Sequence, residues 1–144
     1  MKIDQDVIEA KLDIIERNLA FLDEFKGMDY EEFCGSYKNV QSAKYSLLEL
    51  IECCIGMASH IIAVRGMGRA EEYREMFYLL GERGVIEKAL AERLGDMAGF
   101  RNLLVHRYGD VDNTIVLEMI GSELEDVVEF ERAVVQFMEY EAGR

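Results

Sequence analysis

The chain has 144 residues and a formal net charge of −13 at pH 7; half of it is apolar, with 12 Gly, no Pro and no Trp. That is one domain of ordinary size, residues 1–144, able to build a core without staples. Such acidity argues against a general nucleic-acid binder, and the lack of Pro suits long uninterrupted helices, because Pro removes a backbone donor and clashes inside a helix.

Ile8, Leu12, Ile15, Leu19 and Leu22 alternate spacings of four and three, with Asp4, Glu9, Asp13, Glu16 and Asp23 off that stripe. This predicts a first amphipathic helix, ended by Gly27. Asp29 followed by Glu32 predicts the next helix start. From there Phe33, Tyr37, Val40, Leu47, Ile51, Ile55, Ala58 and Ile62 carry one long helix to about residue 64, where Gly66 and Gly68 break it. Residues 70–81, AEEYREMFYLLG, predict a shorter helix with Tyr73, Phe77 and Leu80 on one face, closed by Gly81 and Gly84. A fourth helix runs from about Ile86 to His106, with Leu90, Leu94, Met97, Phe100 and Leu104 facing inward. TIVLEMI, residues 114–120, has β-branched residues that permit a strand, but a lone strand has no partner, so a short helix is expected. SELEDVVEFERAVVQFMEYEA predicts the last helix. The expected fold is all-α, an antiparallel helical bundle with short connections. The wide apolar faces of the first two helices serve either a monomer core alone or a dimer interface as well.

Charge interrupts each apolar stretch before the ~20 residues a spanning helix needs, and MKIDQDVIEAK is charged from the outset, unlike a signal region. The expected location is cytoplasmic, with no membrane contact. Cys34, Cys53 and Cys54 are odd in number, and neighbouring helical cysteines point about 100° apart. With no CxxC pair or His/Cys cluster, reduced packing cysteines are expected, and neither a metal site nor a cofactor. The charge is unevenly spread: residues 1–59 carry −6, residues 60–108 carry +1 and residues 109–144 carry −8. A local anion site therefore fits in the central third, though solvated helix faces explain the same numbers.

One segment there, FRNLLVHRYGDVD (residues 100–112), concentrates reactive groups. On a continuous helix, Asn102 and His106 stack on one face and Arg101 and Tyr108 share a neighbouring one, with Phe100, Leu103, Leu104 and Val111 on the buried side. Gly109 then ends the helix. An imidazole can move a proton at neutral pH. A guanidinium fork suits a phosphate and the charge that builds on a pentavalent phosphorus. Asn102 can orient the imidazole or a ribose hydroxyl. Together they could drive a ribose 2′-OH onto the adjacent phosphate, leaving a 2′,3′-cyclic phosphate. Arg and His five apart recur by accident, and a His at a helix C-terminus is favoured by the dipole alone.

The longer string is more specific. Arg101, Asn102, Leu104, Val105, His106, Tyr108, Val111 and Asp112 resemble the R-x4-H-x-Y signature of the HepT-like toxins of the HEPN superfamily. ASHIIA (residues 58–63) and YREMFYLLGERGVI (residues 73–86) resemble the same family, so the likeness covers nearly the whole chain. The resemblance implies an all-α homodimer with two motifs facing a shared cleft. It implies a metal-independent endoribonuclease toxin of a type VII-like toxin–antitoxin pair, with mRNA or tRNA as substrate. It also implies an MntA-type minimal nucleotidyltransferase antitoxin that transfers AMP to the motif tyrosine. By position Arg101 and His106 would be the catalytic pair, Asn102 their support and Tyr108 the AMP acceptor. Arg65, Arg69 and Arg107 are further candidates for RNA contact, and His60 either packs in the core or an interface or lines the cleft. The rival reading is a non-enzymatic binding module, or substrate-binding subunit, of such a nucleotidyltransferase; a plain structural dimer is the third.

Overall fold

A computed structural model describes residues 2–143. The Asp4 carboxylate opens helix α1 (Gln5–Asp23) by accepting from the Asp6 and Val7 amides, which satisfies donors the first turn leaves over. The predicted stripe is the buried one: Ile8, Ile15 and Leu22 are fully enclosed.

The long second helix of the sequence reading is two helices, α2 (Tyr30–Cys34) and α3 (Tyr37–Arg65). Asp29 caps α2 through the Glu32 amide at 2.7 Å, as expected. Ser36 then caps α3, accepting from the Asn39 amide at 3.1 Å, and its extended backbone (φ −114°, ψ 108°) stops any continuous helix. Gly35 belongs at this junction because a Cβ there would lie 2.7 Å from the Glu31 carbonyl oxygen.

Helix α3 is the spine of the bundle. Leu47, Leu50, Ile51, Met57, Ala58 and Ile61 on it are fully buried, each large one contributing about 1.5–3 kcal/mol by leaving water. With a mean hydropathy of 1.8 over its most apolar 18 residues, α3 is long and apolar enough to cross a membrane, contrary to the expectation that charge breaks every apolar stretch. Glu49 and Glu52 are too few to do so, and the helix is the core element against which the others pack. Gly66 (φ 60°) ends it in the left-handed conformation.

Helix α4 (Tyr73–Glu82) runs through Gly81 instead of stopping there. That glycine is a contact residue: a Cβ on it would lie 2.9 Å from Cβ of Ala91 on α5 (Lys88–His106). Gly95 repeats the device against Tyr78 at 2.9 Å, so α4 and α5 pack closely. Residues 113–122 are helical as expected, forming α6 (Asn113–Ser122) under an Asp112 cap. Helix α7 (Leu124–Ala142) closes the core, its Phe130 edge-on to Phe77 at 5.5 Å and its Asp126 paired with Arg93 at 2.9 Å.

No strand occurs among the described residues, and the chain is an all-α antiparallel bundle. Contacts define two hairpins, α1 with α3 and α4 with α5, joined through α3. A buried polar knot pins the first: Asn18 donates to Glu49 at 2.8 Å and to the Ile14 carbonyl at 3.0 Å, and accepts from Ser46 at 2.6 Å. Glu131 on α7 is also buried. Burial, then the hydrogen bond and charge of Glu16, push its carboxyl well above the ordinary range, to about 8. All three cysteines are free thiols, and burial pushes Cys53 and Cys54 up, which keeps them unreactive.

Candidate active site

Helix α5 lies antiparallel along α3, and the motif segment meets the N-terminal half of that spine. Arg101 is held on three sides. Its Nε donates to Glu52 Oε1 at 2.6 Å, its Nη1 donates to Asn102 Oδ1 at 3.2 Å, and its guanidinium carbon stands 4.9 Å from the centre of the Tyr73 ring. These contacts occupy Nε and Nη1, leaving other donors of the five for a ligand. Beside it opens a groove of ≈ 560 Å³ lined by Glu71, Glu72, Tyr73, Arg74, Ala98, Gly99, Arg101 and Asn102. Gly99 keeps that wall flat, since a Cβ there would lie 2.7 Å from Arg74 Nη2.

His106 is the last residue of α5 and is exposed, as is Asn102 one turn before it. The helix stops here, earlier than the expected end at Gly109. Arg107 leaves helical geometry (φ −135°, ψ 39°), and Tyr108–Asp110 form a separate 3-10 turn. Tyr108 therefore does not share a helical face with Arg101. It folds against α3 instead: its hydroxyl donates to the Gln41 carbonyl at 3.2 Å, and Lys44 Nζ donates to its carbonyl at 3.0 Å while standing 4.8 Å from its ring centre. Burial, with Tyr37 second, pushes the Tyr108 phenol up, so the hydroxyl is neutral at pH 7. Phe100 and Leu104 are buried as expected, whereas Leu103, expected on that side, is 44% exposed at its flank.

Of the remaining candidates, Arg65 lies away from this cluster and Arg107 adjoins it. Arg65 ends α3, about 20 Å of helix beyond Glu52, and is ion-paired with Glu141 of α7. Arg69 is exposed in the α3–α4 connection, and Arg107 is exposed next to His106. His60 Nε2 accepts from the Asp4 amide at 2.9 Å and so ties the start of α1 to α3.

Sequence reasoning missed Glu52, Tyr73 and Lys44. Lys44 did leave a signal. The apolar stripe of α3 skips from Val40 to Leu47, and Lys44 fills the inward position between them, at 5% exposure.

The all-helical bundle thus carries Arg101 and His106 in the last turns of α5 and Tyr108 just past its end. The sequence model of the family described as Ribonuclease HepT-like matches residues 15–134, and the chain belongs to that family. It is 30% identical over 125 residues to the mRNA nuclease HepT of Shewanella oneidensis, covering 87% of this chain and 93% of that protein. It is 28% identical over 137 residues to the tRNA nuclease HepT of Aphanizomenon flos-aquae, covering 94% of this chain and 92% of that one. The tri-AMPylated Shewanella oneidensis HEPN toxin, solved in complex with its MNT antitoxin, superposes with a TM-score of 0.83 at 27% identity, over 92% of this chain and 99% of that one. YutE of Bacillus subtilis shares the fold, with a TM-score of 0.87 at 21% identity over the whole of this chain and 97% of that one.

Proposed function

We propose that this chain is a toxin of a type VII-like toxin–antitoxin pair, a metal-independent endoribonuclease acting on mRNA or tRNA. The observation that carries the proposal is the fixed guanidinium of Arg101, clamped by Glu52 and Tyr73 five residues before an exposed His106 at the helix end. The His106 imidazole takes the 2′-OH proton, and the 2′-oxygen bonds to phosphorus. The bond to the 5′-oxygen breaks, and that oxygen leaves with a proton from the imidazolium. Arg101 donors meet the charge on the phosphoryl oxygens, and Asn102 holds the arginine.

Two copies complete the site across a homodimer cleft in the cytoplasm, each a single domain of 144 residues. The exposed Leu103 and Val105 beside the motif, with Tyr37 and Tyr45 on α3, supply apolar surface of the kind a second copy covers. Silencing is by an MntA-type minimal nucleotidyltransferase. The Tyr108 oxygen loses its proton and attacks the α-phosphorus of ATP, and pyrophosphate leaves. The added anion and base then stand two residues from His106 and exclude RNA.

The net charge of −13 favours a second reading, a non-enzymatic binding module that offers an acidic surface to the nucleotidyltransferase. One assay separates them: RNA cleavage in excess EDTA by wild type and His106→Ala, once intact mass has excluded prior AMP on Tyr108. Cleavage with cyclic-phosphate ends by wild type alone is the expected result. No cleavage of any RNA pool by either protein leaves the binding module.

A further inference from the structure

Lys44 is a buried lysine that no carboxylate pairs with among the described residues. It is 5% exposed, and none of the ion pairs among the described residues includes it, although the chain carries 29 carboxylates against 16 Lys and Arg. Among the described residues its hydrogen bond and its cation–π contact are both with neutral groups of one residue, the Tyr108 carbonyl at 3.0 Å and the Tyr108 ring at 4.8 Å. An ammonium taken out of water loses far more than one carbonyl returns, and it has three donors to place. The nearby end of α5 supplies about half a negative charge. Among the described residues only one of its three N–H donors has an acceptor, and an anion would serve the others.

We infer that Lys44 is an anion-binding residue of this site and that its ligand is a phosphodiester. This inference rests on the proposed function, which brings that group to Tyr108 from two sources: the backbone of RNA, and the adenylyl group on the Tyr108 oxygen. The second source acts on the contacts already in place. Esterifying the hydroxyl removes the proton that bonds the Gln41 carbonyl, releases the ring from that carbonyl, and sets a negative charge at the edge of the ring Lys44 covers. A Lys44 that merely pinned the turn would respond to neither source.

The variant is Lys44→Met, which keeps the apolar stem and removes the charge, with Lys44→Gln as a second neutral variant should the first lose helicity and Lys44→Arg as the charge-keeping control. In the first arm, RNA binding is titrated against NaCl in a non-cleaving His106→Ala background. If RNA is the source, Lys44→Met weakens binding about tenfold and lowers the slope of log affinity on log salt by about 0.7, while Lys44→Arg retains most of both. In the second arm, each protein is treated with an MntA-type nucleotidyltransferase and ATP, incorporation is followed by intact mass, and the thermal midpoint is read before and after. If the adenylyl group is the source, modification raises the midpoint of the reference and not of Lys44→Met. A reference that responds while a folded neutral variant matches it in both arms overturns the inference. A reference that neither binds RNA nor accepts AMP removes the proposed function itself, and the ligand with it.

Discussion

Arg101 and Glu52 are bound at 2.6 Å, so the residue assigned to meet RNA phosphate is already paired with a carboxylate from another helix. The pair is not idle packing: Arg101 is mostly covered and Glu52 largely exposed, so the carboxylate aims the guanidinium without being sealed in with it. It also competes with substrate for the same charge. Glu52→Ala is expected to lower kcat about tenfold while leaving KM unchanged or reduced, because orientation is lost and competition is relieved. Glu52→Gln, which keeps an acceptor, should stay within about threefold of wild type. Arg101→Lys, which gives up the planar fork, should cost about 100-fold or more in kcat. Steady-state cleavage of a fluorogenic RNA checks all three, and a kcat for Glu52→Ala equal to that of wild type would show that the pair positions nothing.

Tyr108→Phe removes one hydroxyl whose partner is the Gln41 carbonyl. The ring that Lys44 covers remains, so the fold should lose only about 0.5–1.5 kcal/mol. AMP incorporation should vanish, and RNA cleavage should survive even with the nucleotidyltransferase and ATP present. Intact mass and a cleavage assay on the same sample read both outcomes.

Asn18→Ala strands the buried Ser46 hydroxyl and takes a donor from Glu49, which keeps Arg17 and partial exposure to water. Leaving that buried hydroxyl unpaired costs about 1–3 kcal/mol, which for a chain of this size lowers the thermal midpoint by roughly 3–10 °C. Differential scanning calorimetry measures it. Cleavage at 25 °C should be unchanged, because the knot lies away from Arg101 and His106.

Stability should depend on pH through Glu131. Its folded value lies near 8 against an ordinary 4.5, for burial and the Glu16 carboxylate both favour its neutral form. Between those values the folded state holds a proton that the unfolded chain releases, so stability falls as pH rises from about 5 to 8 and then levels off. Thermal midpoints taken from pH 5.5 to 8.5 should decline, and Glu131→Gln should flatten the decline. An identical slope in the variant would assign the effect to other carboxylates.

Periodicity made most of the fold legible. The stripe of α1, the spine of α3, and the helical state of residues 113–122 follow from spacing and from the lack of a strand partner. Misreadings arose where a local hydrogen bond overrode spacing. Ser36 breaks a run that Phe33, Tyr37 and Val40 suggest is continuous, because its hydroxyl serves the Asn39 amide better than a helical backbone would. Gly81 reads as a stop, yet its value is the missing Cβ that lets Ala91 approach. In the site, Arg101, Asn102, His106 and Tyr108 were legible as a string. Glu52, Tyr73 and Lys44 were not, since they come from α3 and α4, and one sequence does not reveal which distant residue will meet an arginine.

The two hairpins have a consequence for the life of the chain. Glu52 and Lys44 stand on one, Arg101, His106 and the turn at Tyr108 on or after the other, and the groups meet only along the seam between them. One of the three contacts that orient the guanidinium, the Glu52 carboxylate, is therefore absent from the half that carries Arg101. A ribosome that has released residues 1–95 has made Glu52 and Tyr73 but not the arginine they aim, and a cut in the Arg65–Tyr73 connection leaves Glu52 and Arg101 on separate pieces held together by packing alone. An arrangement written across a seam comes into being late in synthesis and lasts only while the two halves stay packed.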